Sequence, residues 1–263
     1  MAGIKEKNYE YVYGVNPLYS LIATNAGRRK IYKIFINRQR KKDLRIQKLI
    51  AEAVRKNIDI EESGADQFNE SAGGDRSLQG ILAMVSPYNY SNLYDFLDKE
   101  AIGKNSSRLR LIILDGVTDV GNFASIIRNC HAFGFDGIIV PKNRSVTVNE
   151  RVSKISAGAL EEVRIFREVN ITRAIKELKK RGFWVYGTTL DVIPGVKDLK
   201  EVDFTFPMVI VMGSEDKGIS RLVESNCDIM INIRQSGRMQ SLNVSVASGV
   251  ILYRIQEQIE ERI

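Results

Sequence analysis

The distribution of apolar and polar positions divides this chain into alternating strand and helix patterns from residue 109 to the end. LRLIILD (109–115) is an unbroken apolar run closed by Asp-Gly, as in a strand buried on both faces. GNFASIIRNCHAFG (121–134) has helical spacing, with Ile126, Ile127, Cys130 and Phe133 on the packing side. GIIVP (137–141) predicts a strand, ERVSKISAGAL (150–160) a helix and VRIF (163–166) an extended segment. ITRAIKELKKRG (171–182) predicts a helix closed by Gly182. FWVYGTTL (183–190) and MVIVMG (208–213) are two further strands, and SRLVESNC (220–227) is a short helix. Ile231 and Ile233 alternate with polar residues, predicting a short half-buried strand. A polar loop follows from Arg234 to Gln240. Ser241 and Asn243 are helix-opening residues, because their side-chain oxygens can accept from unpaired amides of a first turn. From Val244 to Ile255 apolar residues fall on nearly every face, so this helix is expected to be buried on several sides. Ser245, Ala247, Ser248 and Gly249 are small enough to let another backbone approach. Such alternation implies an α/β fold with a largely parallel sheet covered on both sides.

The front of the chain reads as a smaller α/β unit. Residues 1–10 are polar and expected to fray. YVYGVNPLYSLI (11–22) turns at Gly14 and Pro17 and then begins an apolar helix. IYKIFIN (31–37), NIDIE (57–61) and GILAMVS (80–86) predict strands, with a helix through Leu44, Leu49, Ala53 and Val54 between the first two. Residues 87–108 read as the junction: YNYSNLYDFLDKEA forms a short helix and GKNSSR (103–108) a flexible linker. The expected division is therefore 1–87, 88–108 and 109–263.

Charge sharpens this picture. The net charge is +7, which suits a polyanionic partner. It is concentrated between Arg28 and Lys48, where ten basic residues face one acid, Asp43. Arg28, Arg29, Lys30, Arg38, Arg40, Lys41 and Lys42 are the candidate RNA-binding residues. A merely solvated helix face would carry this like charge without gain. No apolar run has the length of a membrane span, and the start lacks a secretory pattern. Cys130, Cys227 and His131 cannot supply a four-ligand zinc site or a disulfide framework, so no metal is expected and the expected compartment is the reducing cytoplasm.

In open α/β sheets ligands bind beyond the carboxyl ends of strands. The stretches to inspect are therefore Asp115–Arg128, Gly187–Leu190, Gly213–Ser220 and Ile233–Asn243. None carries GxGxxG, and GSEDKGIS (213–220) has the wrong order for a phosphate-binding loop. With a single histidine in an apolar helix, a serine–histidine–aspartate arrangement has little support. What remains is a set of polar residues beside glycines: Asn122 at a helix start, Arg128 behind small Ala124 and Ser125, and Glu215 after Gly213. Each alone also fits an ordinary surface position.

Together, LDGVTDVGNFASIIRNCHAFG (114–134), VIVMGSEDKGIS (209–220) and INIRQSGRMQSLNVSVASGVILY (231–253) closely resemble the three motifs of the SpoU (TrmH-like) RNA ribose 2′-O-methyltransferases, in the family's order. VYGVNPLYSLI and QGILAMV resemble, less closely, the substrate-binding domain of the branch that modifies a guanosine in large-subunit (23S) ribosomal RNA. Val120 stands where the family commonly has proline, Phe123 and Ala124 replace a Leu-Gly pair, and Arg234 replaces a proline.

The resemblance implies a trefoil-knotted methyltransferase domain behind an L30e-like substrate-binding domain. It also implies a homodimer and S-adenosylmethionine as methyl donor. Carried over by motif, Asn122, Arg128, Glu215, Ser241 and Asn243 form the catalytic and site-shaping set. Thr188, Gly213, Ile233 and Leu242 fall where the family cradles the donor. A guanidinium keeps its proton at neutral pH, so Arg128 is expected to hold phosphate and developing negative charge. It could act as a base only if desolvated or coupled to RNA. Transfer RNA as the substrate, a catalytically silent RNA-binding protein, and a structural dimer are the competing readings.

Overall fold

The structure is a computed structural model that describes residues 9–24, 28–65, 68, 79–102, 106–237 and 241–262. Residues 1–8 of the polar start, 103–105 of the expected linker and 238–240 of the expected loop lie outside them. The chain divides into two compact units. One comprises Met1–Asn89 with Val148–Glu162, the other Tyr90–Thr147 with Val163–Ile263.

In the first unit β1 (Glu10–Tyr13), β2 (Ile31–Asn37), β3 (Ile60–Ser63) and β4 (Ile81–Val85) form a sheet in the order β1-β4-β2-β3. β4 is antiparallel to both neighbours, and β2 is parallel to β3. Helices α1 (Val15–Thr24) and α2 (Leu44–Arg55) supply Leu18, Leu21, Ile22, Ile46 and Leu49 to a core with Ile34, Ile36, Ala83 and Val85. α1 starts at Val15, two residues ahead of Pro17, because proline is tolerated in a first turn. The strand expected at 57–61 begins later, at Ile60. Asn57 sits in the left-handed region (φ 52°) and ends α2, and Ile58 N–H reaches back to the Ala53 carbonyl.

Residues 148–162 belong to this unit, although the sequence pattern continues them with the larger sheet. The helix expected over 150–160 is two helices, α5 (Glu150–Ser156) and α6 (Ala159–Glu162). Ala157 (φ 54°) and Gly158 (φ 103°) break it. A side chain at Gly158 would meet Ser20 Oγ at 2.8 Å and the Asn16 carbonyl at 3.1 Å, so glycine permits the approach of α1.

α6 corrects the reading of Arg29 and engages Arg28. Arg29 is 2% exposed, pairs with Glu10 at 2.9 Å and Glu161 at 3.6 Å, and lies over the Tyr88 ring. Arg28 donates to the carbonyls of Leu160, Glu161 and Glu162. Burial pushes the Glu161 carboxyl above the usual carboxylate range, and Arg29 opposes that shift. Buried Arg29 therefore serves the packing of α6 rather than an open RNA surface, and half-buried Arg28 is engaged by the α6 carbonyls.

The second unit holds a seven-stranded sheet in the order β7-β6-β5-β10-β8-β11-β9. Its members are β5 (Arg110–Asp115), β6 (Gly137–Pro141), β7 (Arg164–Glu168), β8 (Trp184–Thr188), β9 (Val196–Asp198), β10 (Met208–Gly213) and β11 (Ile229–Asn232). Every pairing is parallel. Leu111 to Leu114 and Val209 to Val211 are fully buried, as two-sided cover requires. α3 (Leu93–Ile102) opens at Asn92, whose side chain accepts from the amides of Tyr94 and Asp95. Leu93, Phe96 and Leu97 enter this core, so part of the expected junction is structural. α4 (Val120–Ala132), α7 (Ile171–Lys180), α8 (Arg221–Glu224) and α9 (Val244–Glu260) complete the unit.

α9 differs from expectation. Val244, Ser248, Ile251, Leu252 and Ile255 are buried, yet Val246 (52%), Val250 (40%) and Tyr253 (57%) face outward. Both cysteines are free. Cys130 is fully buried, and burial pushes its thiol far up. Cys227 is pushed up to about 12, first by burial and then by the Asp228 carboxylate. Since only the thiolate is nucleophilic, neither forms it in the native protein near neutrality. Iodoacetamide at pH 8 is expected to modify no thiol of the native protein and both in urea. Mass spectrometry of the alkylated chain checks this, and label on native Cys227 would contradict it.

Candidate active site

Strand order reverses beside β5: β6 and β7 lie on one side, β10, β8 and β11 on the other. At such a switch the loops leaving the carboxyl ends diverge and open a crevice. β10 ends at Gly213, paired with Asp115 of β5, and Thr188 of β8 pairs with Ile231 of β11. The cleft there has a volume of about 370 Å³. Thr188, Gly213, Ile233 and Leu242, the four residues expected to cradle a donor, all line it, as do Glu215 and Ser241.

Glu215 is placed by a turn with little freedom. Ser214 and Gly218 exchange backbone hydrogen bonds of 3.2 and 2.9 Å, and Gly218 takes φ 63°. The turn folds back so closely that a Cβ on Gly213 would lie 2.0 Å from the Gly218 carbonyl carbon. Asp115 Oδ2 accepts from the Ser220 amide at 2.8 Å and fixes the turn's far end.

The turn delivers Glu215 to two helix starts. Asn122 Nδ2 donates to Glu215 Oε1 at 3.0 Å, and Asn243 Nδ2 donates to the same oxygen at 2.6 Å. The Val244 amide adds a third bond at 3.3 Å. Asn243 Nδ2 also donates to Asn122 Oδ1 at 2.9 Å, closing a triangle. Asn243 caps α9, its Oδ1 accepting from the amides of Ser245 and Val246. Asp119 caps α4, accepting from the Asn122 amide at 2.7 Å. The sequence reading missed Asp119, whose signal is an acidic helix opener three residues before Asn122.

The other candidates divide. Ser241 is half-buried on the cleft wall. Arg128 is exposed on α4, outside the cleft lining, with no hydrogen-bond or ion-pair partner among the described residues. Its guanidinium is therefore solvated. In the first unit Lys30, Arg38, Arg40, Lys41 and Lys42 are exposed. Arg40 pairs with Asp43 and Lys41 with Glu62, whereas Arg38 and Lys42 have no acidic partner among the described residues. Also among the described residues, no group of three His, Cys, Asp or Glu is placed to hold a metal ion, and no helix is long and apolar enough to cross a membrane.

The crevice thus lies at a sheet switch point, and a carboxylate on its wall is bonded by two asparagines from distant parts of the chain. The SpoU rRNA Methylase family model matches residues 110–253, and the model for RNA 2′-O ribose methyltransferase substrate binding matches residues 11–91. The chain belongs to the SpoU rRNA methylase family, and it is an RNA 2′-O-ribose methyltransferase. It is 35% identical over 249 residues to a protein of Bacillus subtilis strain 168 named as a TrmH family tRNA/rRNA methyltransferase, YacO, spanning 95% of this chain and 96% of that one. A Staphylococcus epidermidis protein named as a TrmH family tRNA/rRNA methyltransferase is 40% identical over 187 residues, 70% of this chain and 73% of that one.

Among solved structures, the SpoU methyltransferase AviRb from Streptomyces viridochromogenes, in complex with AdoMet, superposes with a TM-score of 0.77. It covers 98% of this chain and 94% of that one at 22% identity, a likeness of fold. The A. aeolicus TrmH/SpoU tRNA modifying enzyme superposes at 0.54 with 32% identity, over 65% of this chain and 85% of that one.

Replacing Gly213 tests the turn that carries Glu215. Because the new Cβ meets backbone rather than a movable side chain, Gly213→Ala is expected to cost about 3 kcal/mol of stability. A urea unfolding curve measures it, and a midpoint equal to wild type would show that the turn relaxes freely.

Proposed function

We propose that this protein transfers a methyl group from S-adenosylmethionine to the ribose 2′-hydroxyl of a guanosine in 23S ribosomal RNA. The observation that carries the reading is the position of Glu215, which lines the cleft and also bonds Asn122 and Asn243 beside it. The cleft suits the donor chemically. Met212, Ile219, Met230, Ile231, Ile233 and Leu242 offer an apolar bed for a purine, while Asp191, Glu215, Asp216 and Glu224 favour cationic groups. Thr188, Gly213, Ile233 and Leu242 would hold it. When bound, the donor supplies a methyl group on a positively charged sulfur, which becomes neutral as the methyl leaves.

The chain's own task is to align a ribose hydroxyl and manage its proton. Asn122 and Asn243 orient polar groups at the cleft edge, and Glu215 fixes both amides. Ser241 shapes the wall beside them. Arg128, exposed and unpaired among the described residues, binds a phosphate next to the target ribose and stabilises negative charge developing on the oxygen.

Residues 1–87 are assigned RNA recognition, 109–263 methyl transfer and 88–108 the passage between them. The resemblance further implies a knot formed by the C-terminal segment, and the two free cysteines suit a cytoplasmic enzyme. Arg38 and Lys42, with Lys30, Arg40 and Lys41, are the phosphate contacts. The transfer-RNA reading is favoured by the tRNA-modifying enzyme among the structural relatives. Incubation with labelled donor and either ribosomal or transfer RNA, followed by mapping of the modified ribose, separates the two. Label confined to transfer RNA would overturn the ribosomal assignment. The Arg38→Ala/Lys42→Ala protein is expected to bind RNA more weakly and to reduce the salt slope of log K by about 2. An unchanged slope would remove these two from the interface.

The outward stripe Val246, Val250 and Tyr253 supports a homodimer through α9, since i, i+4, i+7 spacing places the three on one face. Val250→Asp is expected to convert a dimer into a monomer in light scattering. A wild-type monomer would exclude the assembly.

A further inference from the structure

Asn243 presents two ends. Its Nδ2 meets Glu215 and Asn122, so its Oδ1 must point into α9. Turned over, the amide would present an oxygen to a carboxylate. The orientation is held by a second acceptor-donor set. Ser245 Oγ donates to Asn243 Oδ1 at 2.6 Å, alongside the Ser245 amide at 2.9 Å. Ser245 is itself gripped from α4. Asn129 Nδ2 donates to the Ser245 carbonyl at 2.9 Å and to Ser248 Oγ at 2.7 Å, and Ser248 Oγ donates to the same carbonyl at 2.7 Å.

The spacing makes this a second fastening of the same two helices. Asn122 and Asn129 are seven residues apart, two turns along one stripe of α4. Ser245, Ser248 and Gly249 form the facing stripe of α9, and Ser248 is fully buried. A side chain on Gly249 would meet Asn129 Nδ2 at 3.4 Å, so the glycine keeps room for the amide.

We propose that Asn129, acting through Ser245 and Ser248, is a positioning residue that sets the amide orientation of Asn243 and holds the start of α9 in register with the helix that carries Asn122 and Arg128. Asn129 lies outside the cleft lining. The inference rests on the proposed role of Asn243.

The test uses the full-length enzyme with tritiated S-adenosylmethionine and deproteinised ribosomal RNA. Asn129→Ala is expected to lower kcat roughly tenfold through misalignment, with KM for the donor within about twofold of wild type. Ser245→Ala, which removes only the hydroxyl and retains a helix-favouring residue, is expected to act in the same direction. Ser245→Thr, which restores a hydroxyl, is expected to recover most of the rate. In the Asn243→Ala background, Asn129→Ala should cost nothing further, because the group it positions is gone. A merely structural Asn129 would add its full effect there. Wild-type kcat in Asn129→Ala or Ser245→Ala, or additivity in the double variant, overturns the proposal. Normal turnover in Asn243→Ala overturns both it and the site assignment, whereas a slow Asn243→Ala beside a normal Asn129→Ala overturns this inference alone.

Discussion

One carboxylate oxygen, Glu215 Oε1, collects N–H donors from Asn122, Asn243 and Val244. These lie 93, 28 and 29 residues away along the chain. A hydrogen bond to an ionised group contributes about 1.5–3 kcal/mol in favourable settings, and less where water competes, as at this exposed glutamate. Its importance is therefore geometric. The sheet brings the ends of β5, β10 and β11 to one edge, but that leaves three loops free to adopt many relative positions. A single acceptor shared by all of them reduces those positions to few. The backbone turn at Ser214–Gly218 and the bare Gly213 beneath it follow from the need to deliver that oxygen to one place.

What could be seen in the sequence follows from the range of the forces involved. β5 and β10 were legible because two-sided burial demands unbroken apolar runs, and their observed limits fall within a residue of the runs. β9, three residues with a lysine and an aspartate, carries no periodic signal and exists because β11 offers it a pairing edge. The break at Ala157 and Gly158 was hidden because SAGAL is compatible with helix, and only the approach of α1 demands the left-handed turn. Periodicity also cannot report which sheet a helix packs on, so the membership of α5 and α6 in the first unit was out of reach. At the site, the family resemblance points to Asn122, Glu215 and Asn243, but only the fold gives the direction of each amide.

The basic segment shows the same limit for charge. Arg28 and Arg29 look like Arg38 and Lys42 in a count of cations. In the fold, Arg29 is buried between two glutamates and Arg28 holds three carbonyls of α6, while Arg38 and Lys42 extend into solvent. A guanidinium's fork suits both uses, so its neighbours in space decide between them.

α9 brings these threads together. Its apolar and small residues fall into three stripes about 120° apart, given 100° per residue. Val244, Ala247 and Ile251 line the cleft. Ser245, Ser248 and Gly249 lie towards Asn129 of α4. Val246, Val250 and Tyr253 face outward. A helix serving a single core would show one apolar stripe opposite a charged one. This one shows little contrast because two sides carry apolar or close-packing demands and the outward side is apolar as well. The near-uniform apolar character of residues 244–255 is thus the sum of three stripes, and the capping Asn243 at its start ties all three to the carboxylate of Glu215.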